Sequence, residues 1–148
     1  MATYSDSLGY AKGGGEVPAY GVYDITRAEV TLDFAKINAA RAAAGATALA
    51  ASDVIEALTI PAGVVVSCVT VMVVSADAST ATIAVGDGTD PDGFATATAV
   101  ATAGTVGTAG AYTLGGKVYA AEDTIDVTLG TAAPTAAVVR VRATYSRI

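Results

Sequence analysis

The chain has 148 residues, of which 53% are hydrophobic and only 15% charged, with a net charge of −6 and no His or Trp; an ordinary soluble domain carries roughly 25% charged residues. That length fits one domain, and the missing His together with a single Cys excludes imidazole acid–base catalysis, His-ligated metals, internal disulfides and thiolate clusters. A pI near 4.3 argues against nucleic acid as a partner, because neutralising phosphates needs clustered Lys and Arg, and so little surface charge fits burial against other subunits.

The opening MATYSDSLGYAKGGGE has no charged n-region followed by an apolar stretch, so no secretory signal is expected. Residues 1–24 carry Gly9, Gly13, Gly14, Gly15, Pro18 and Gly21 with Tyr4, Tyr10, Tyr20 and Tyr23 among them. This composition builds no regular element. Aromatic residues on an extended arm are suited to anchoring in a neighbour's surface; the alternative is a tail folded back on its own domain. The Gly13-Gly14-Gly15 run lacks the Lys-Ser/Thr and helix start of a phosphate loop and reads as a hinge.

From Ile25 to Phe34 the sequence alternates, with Ala28, Val30, Leu32 and Phe34 on one face and Arg27, Glu29, Thr31 and Asp33 on the other. That period of two predicts a first strand of a domain spanning 25–148. Helix formers from Ala35 to Gly45, with Asp33 as a possible cap, then predict one or two helical turns.

After Asp53 the pattern is all-β. VIEALTI (54–60), the turn Pro61-Ala62-Gly63 and the apolar run Val64–Val74 come first. This run is too short for a membrane helix, which needs ~20 residues, and is apolar on both faces, as in the centre of a sandwich or under a neighbour. Val65, Val69 and Val71 are expected in the core, and Cys68 is expected as a small buried hydrophobe. TATIAV (80–85) follows, then an Ala/Thr segment in which Ala95, Ala97, Ala99, Ala101 and Ala103 would share one face. Ile125, Val127 and Leu129 alternate with Thr124, Asp126 and Thr128 in a half-buried strand. The last strand turns Val139, Val141, Ala143 and Tyr145 inward and Arg140 and Arg142 outward, where the arginines can pair with acids of an adjacent strand or subunit. Six or more short strands separated by Gly, Pro and Asp turns predict an all-β fold, an antiparallel β-sandwich of jelly-roll type preceded by an extended N-terminal arm.

Carboxylates cluster only in Gly86–Phe94, at Asp87, Asp90 and Asp92 beside Gly93. Asp90-Pro91-Asp92-Gly93 fits the middle of a calcium loop, but the first ligand position would be Gly88 and the last, where a bidentate Glu is needed, Ala99. Turn chemistry, with Asp side chains capping backbone N–H groups, accounts for these residues without a metal. Asp87 and Asp92 as a glycoside-hydrolysing pair would lack an aromatic sugar platform. No catalytic residue, metal or cofactor is expected.

The succession EVTLDFAKI, ALAASDVIEALTIPAGVVV, TATIAVGDGTDPDGF, GGKVYAAEDTIDVTL and a final Val-rich strand resembles a group of small virion structural proteins of tailed bacteriophages. The likeness covers about residues 25–145, and its most specific parts are IPAG (60–63) and VGDGTDPDGF (85–94). The resemblance implies a capsid decoration or cement protein, made in the host cytoplasm and located on the capsid surface. Such a protein binds and stabilises the shell of the major capsid protein and has no enzymatic activity or membrane partner. Head-fibre, neck and tail parts use similar sandwiches, so the alternative is one of those, with a receptor- or carbohydrate-binding role. Scarce charge predicts self-association, and a trimer suits the threefold junctions of an icosahedral shell. Tyr4, Tyr10, Tyr20, Tyr23, Arg140 and Arg142 are then the candidate capsid or subunit contacts, and the arm a strap.

Overall fold

The alternation of ITRAEVTLD becomes an edge strand, β3 (Ile25–Asp33), that pairs antiparallel along its whole length with the last strand of the chain, from Val138 opposite Asp33 to Ser146 opposite Ile25. The computed structural model describes residues 1–4, 8–17 and 25–148. In chain order its other elements are β1 (Thr3–Tyr4), β2 (Gly13–Gly14), α1 (Phe34–Ala43), β4 (Val54–Ile60), β5 (Val64–Ser75), β6 (Thr82–Gly86), β7 (Ala95–Ala99), β8 (Lys117–Tyr119), β9 (Asp123–Leu129) and β10 (Val138–Arg147). One sheet has the order β1-β4-β9-β6-β7, with β2 also on β4; the other runs β3-β10-β5-β8. Every pairing is antiparallel except those of β1 and β2, which lie parallel to β4. The chain is an all-β sandwich. Only β6 and β7 are both sequence neighbours and sheet neighbours among the strands from β3 onward, so nearly every connection crosses from one sheet to the other, as in jelly rolls.

The faces of β3 and β10 follow the alternation. Ala28, Val30, Leu32 and Phe34 are buried, as are Val139, Val141, Ala143 and Tyr145. They meet Ile55, Leu58, Ile60, Ile83, Val85, Ile125, Val127 and Leu129 of the opposite sheet in one core. Asp33 caps α1 by accepting from the Lys36 N–H at 3.2 Å, and Gly45, with φ +67°, follows the helix end as a left-handed glycine does. Phe34, Ile37 and Arg41 are the buried face of this helix.

Several expectations fail, three of them at bulges, and β1 and β2 form where the composition of residues 1–24 predicts no regular element. In β5, Cys68 lies opposite Thr144 and Val66 opposite Tyr145, so Ser67 has no partner and the strand changes phase. Val64 and Val66 are buried before the bulge and Val69, Val71 and Val73 after it, while Val65 is only half-buried. Cys68, turned outward by the same bulge, is exposed. An extra residue in one strand reverses every side chain beyond it. A bulge also interrupts the β6–β7 pair, where Ile83 faces Thr98 but Val85 faces Ala95. Consequently Thr98 and Val100 are buried while Ala97 and Ala99 are exposed, and the expected alanine face does not form. Finally, the Gly13–Gly15 run is not a hinge. Gly13 pairs with Leu58 and Gly14 with Thr59, and the Gly15 N–H donates to the Thr59 carbonyl at 2.7 Å. A side-chain-free backbone lies this close to β4 because a Cβ on Gly14 would collide with the Thr59 carbonyl.

Candidate functional site

The described part of residues 1–24 lies along its own sheet. The Ala2 N–H donates to Asp53 Oδ1 and the Ala50 N–H to Asp53 Oδ2, both at 2.8 Å. Burial pushes the Asp53 carboxyl up, but these two N–H groups, a hydrogen bond from the Tyr4 side chain and the N-terminal charge together outweigh it and hold the carboxyl below its ordinary value. The Arg41 guanidinium, itself buried, sits 3.7 Å from the centre of the Tyr4 ring in a cation–π contact and donates through Nε to the Thr47 carbonyl at 2.7 Å. The Tyr10 hydroxyl donates to the Glu56 carbonyl at 3.1 Å, and Lys12 Nζ reaches Glu56 Oε2 at 2.7 Å. Further along, the Tyr145 hydroxyl donates to the Glu16 carbonyl at 3.0 Å. Tyr4 and Tyr10 therefore make contacts inside their own subunit, and Tyr20 and Tyr23 lie outside the described residues.

Arg140 and Arg142 point outward from β10 and meet Glu29 of the adjacent strand β3. Arg142 Nε donates to Glu29 Oε2 at 2.7 Å, and Arg140 Nε lies 3.4 Å from Glu29 Oε1. One carboxylate between two half-exposed arginines leaves an excess positive charge on this face of an acidic chain. Beside it, Met72, Val74 and Val106 are exposed; Val106 bridges to Met72, and the Gly107 N–H donates to the Val71 carbonyl at 3.0 Å. The outer side of the apolar strand β5 is thus covered only in part.

The Asp87–Gly93 loop is organised by one buried carboxylate. Asp87 Oδ1 accepts from the N–H groups of Thr89 and Asp90, each at 2.9 Å, and Oδ2 accepts from the Tyr119 hydroxyl at 2.9 Å. Lys117 Nζ stands 3.7 Å from the same Oδ2. Burial raises the Asp87 carboxyl, yet the two N–H groups, the Tyr119 hydroxyl and Lys117 together hold it low. In turn, burial and the Asp87 partner raise the Tyr119 phenol far above its ordinary value. Asp90 is raised through its hydrogen bond with Asp92, and the Gly93 N–H donates to the Asp90 carbonyl at 3.1 Å. Around the loop, Phe94 and Tyr112 pack edge to face at 5.1 Å, with Lys117 Nζ 4.6 Å from the Tyr112 ring centre. The oxygens of Asp87 are thus spent on the loop's own donors.

Asp126 was legible only as an outward position of a half-buried strand, yet it is just 7% exposed. It lies in the middle of its sheet, opposite Glu56 of β4 on one side and Gly86 of β6 on the other. The Asp87–Gly93 loop folds back over Gly86 so closely that a Cβ there would collide with the Asp90 carbonyl, and this covers the neighbouring Asp126. Neither Asp126 Oδ1 nor Thr128 Oγ1 has a hydrogen-bond partner among the described residues. Burial pushes the Asp126 carboxyl up to about 6; the Thr124 hydroxyl opposes this, and Glu56, Asp123 and Asp87 add to it. Asp126 and Thr128 are among the residues around a cleft of about 220 Å³, with Met1, Thr3, Val54, Asp87, Gly88 and Pro91, although the two orphan oxygens themselves are buried. A glycine paired with an acid on the next strand was the one sequence signal, and it becomes readable only once the register is known.

No protein-family model matches this chain, and no curated protein sequence does. Solved structures do match. A chain of the cyanophage Pam1 capsid asymmetric unit superposes with a TM-score of 0.61 at 19% identity, over 90% of this chain and 92% of that one. A chain of the acid-stable capsid of Helicobacter pylori bacteriophage KHP30 gives 0.55 at 14% identity, over 82% and 86%. One from the capsid of Ralstonia phage GP4 gives 0.53 at 21% identity, over 100% and 91%. At these identities the likeness is one of fold, and it extends over nearly the whole length of each chain.

Proposed function

We propose that this chain is a structural protein of a phage virion, a capsid decoration or cement protein that binds and stabilises the shell built by the major capsid protein. The observation that carries the reading is the end-to-end likeness of its fold to chains from three phage capsids. The composition supports it: with 15% charged residues and exposed Met72, Val74, Val106, Leu114 and Val118, the surface has apolar area that contact with other subunits would bury. Asp87 is spent on its loop and Asp53 on holding the arm, and a non-enzymatic role is part of this reading.

In this reading the sandwich associates as a trimer over junctions between capsomers, where several modest contacts made at once add up to tight binding. The Arg140 and Arg142 face and the tyrosines of the arm make those contacts. Tyr4 and Tyr10 act by fixing the arm to β4, and Tyr20 and Tyr23 are the anchors toward the neighbour. Removing residues 1–22 would also strip β1 and β2 from the sheet, so the strap is better tested in the full chain. Tyr20→Ala with Tyr23→Ala should keep the melting temperature and weaken binding to shells that lack the protein; unchanged binding would refute the strap. The wider reading is tested by the copy number of this polypeptide in purified virions. A number close to that of the major capsid protein is expected, whereas a few copies per particle would place it in a fibre, neck or tail and overturn the cement reading.

A further inference from the structure

We propose that the groove on the outer side of β5, between the arginines of β10 and Val106, holds a segment of the shell protein in which a carboxylate stands beside a bulky apolar side chain. That the neighbour is a shell protein rests on the function proposed above, whereas the groove and the chemistry it selects rest on its own walls. Register builds it. Met72 has Arg140 opposite it on one side and Val106 on the other, and in the next row along the strand Arg142 stands opposite Thr70. Thr70, Val71, Met72, Val106, Arg140 and Arg142 enclose a cleft of about 210 Å³. Its floor and one wall are carbon and sulfur left open, with Met72 37% and Val106 62% exposed, and a thioether adapts its shape to the apolar group that lies on it.

The other wall decides the charge. Arg142 takes Glu29 Oε2 through both Nε and Nη2. Arg140 is left without a hydrogen bond among the described residues: its Nε, 3.4 Å from Glu29 Oε1, is buried and unpartnered, while the side chain as a whole is 37% exposed, so the outer edge of the guanidinium is open. Arg27, opposite Thr144 in the following row, adds a third cation to this face. A guanidinium fork matches a carboxylate, and an apolar group seated on Met72 and Val106 shields that pair from water and strengthens it. One strand spacing, about 5 Å, separates Met72 from Arg140, so both groups come from adjoining parts of one segment. Nucleic acid would meet the same arginines, but a chain of net charge −6 repels it and the apolar wall would go uncovered. A second copy presenting this same face brings no free acid, because Glu29 and Asp33 are already held by Arg142 and Lys36.

Two measurements on the full-length protein test this. Methionine occurs only at positions 1 and 72, so methyl-labelled methionine gives Met72 an NMR signal of its own, with Met1 as the internal control. Acetyl-Glu-Leu-Glu-amide is titrated in, with the Gln-Leu-Gln, Lys-Leu-Lys and Glu-Gly-Glu analogues as comparisons. A saturable shift of the Met72 methyl is expected for the first peptide alone, with affinity about threefold or more weaker in Arg140→Gln and unchanged in Lys36→Gln. An equal shift from any of the three analogues, or no saturable shift at all, overturns the groove. In the second measurement, the photocrosslinking residue benzoylphenylalanine replaces Val106, or Val74 beside the groove if the first replacement blocks binding, in protein bound to shells. An adduct with an acidic, apolar-bearing segment of the major capsid protein is expected, together with binding weakened about tenfold or more in Arg140→Glu. An adduct with a second copy of this chain, or with a segment that has no acid, overturns the partner, as does full-strength binding by Arg140→Glu. If the wild type never binds shells while the acidic peptide still fills the groove, the cement reading falls and the groove stands; if it binds shells and the peptide has no effect, the groove falls and the cement reading stands.

Discussion

Replacing Asp126 with Asn removes a buried charge while keeping nearly the same shape, and its effect should depend on pH in a way that no surface carboxylate would show. The folded carboxyl titrates at about 6, because burial penalises its charged form and Glu56, Asp123 and Asp87 add repulsion that the Thr124 hydroxyl only partly offsets. In the unfolded chain it titrates near 3.9. Between these values the native state binds more protons than the unfolded one, so stability from this group falls as pH rises. It is complete below about 4 and has been lost once the pH passes about 6. The gap sets a ceiling on the order of 3 kcal/mol. Water reaching the cleft lowers it, so the variant should gain about 1–3 kcal/mol on the wild type between pH 4 and pH 8. For a chain of this size that is about 3–10 °C in Tm. Asp53, Asp77 and Asp87, whose carboxyls are held low, lose stability as pH falls, but they are common to both proteins and cancel in the difference. Thermal or urea unfolding of both proteins at unit steps from pH 4 to 8 measures it. A difference that stays flat, or that favours the wild type at high pH, would refute the argument that Asp126 is buried and unpaired.

Val71→Asp places an unpaired charge at a core position that is 1% exposed and should abolish the cooperative β-sheet transition seen by circular dichroism; a folded variant would contradict the phase assigned to β5. Asp87→Ala frees two N–H groups and the Tyr119 hydroxyl and should cost about 2–4 kcal/mol in urea unfolding. EDTA should leave the wild-type Tm unchanged, since Asp87 is already satisfied by protein donors; a fall reversed by Ca²⁺ would reopen the metal reading. Cys68, turned outward by the Ser67 bulge, should react with a thiol reagent in the folded protein at a rate close to that of a free thiol, and protection until unfolding would show the bulge to be misplaced.

The sequence alone determined the things that depend on one stretch of chain. Alternation in β3 and β10 is a property of each strand by itself, because successive side chains point to opposite faces, so Val30, Leu32, Val139, Val141 and Tyr145 were readable as core. Asp33 was readable as a cap because capping joins residues three apart, and the Asp-Gly-Pro loop as a turn for the same local reason. Tertiary structure decided whatever depends on a partner strand. The Ser67 bulge arises from the fit of β5 against β10, and it alone puts Cys68 outside and Val65 only half inside. Glu29 became the partner of Arg140 and Arg142 because β3 and β10, more than 100 residues apart in places, lie side by side. Whether the glycine run was hinge or strand depended on β4 having an edge open to it. Burial of Asp126 required three separate segments, β4, β6 and the loop folded over Gly86. A period of two records which way each side chain points from its own strand, and carries no information about what the rest of the chain will lay on top of it.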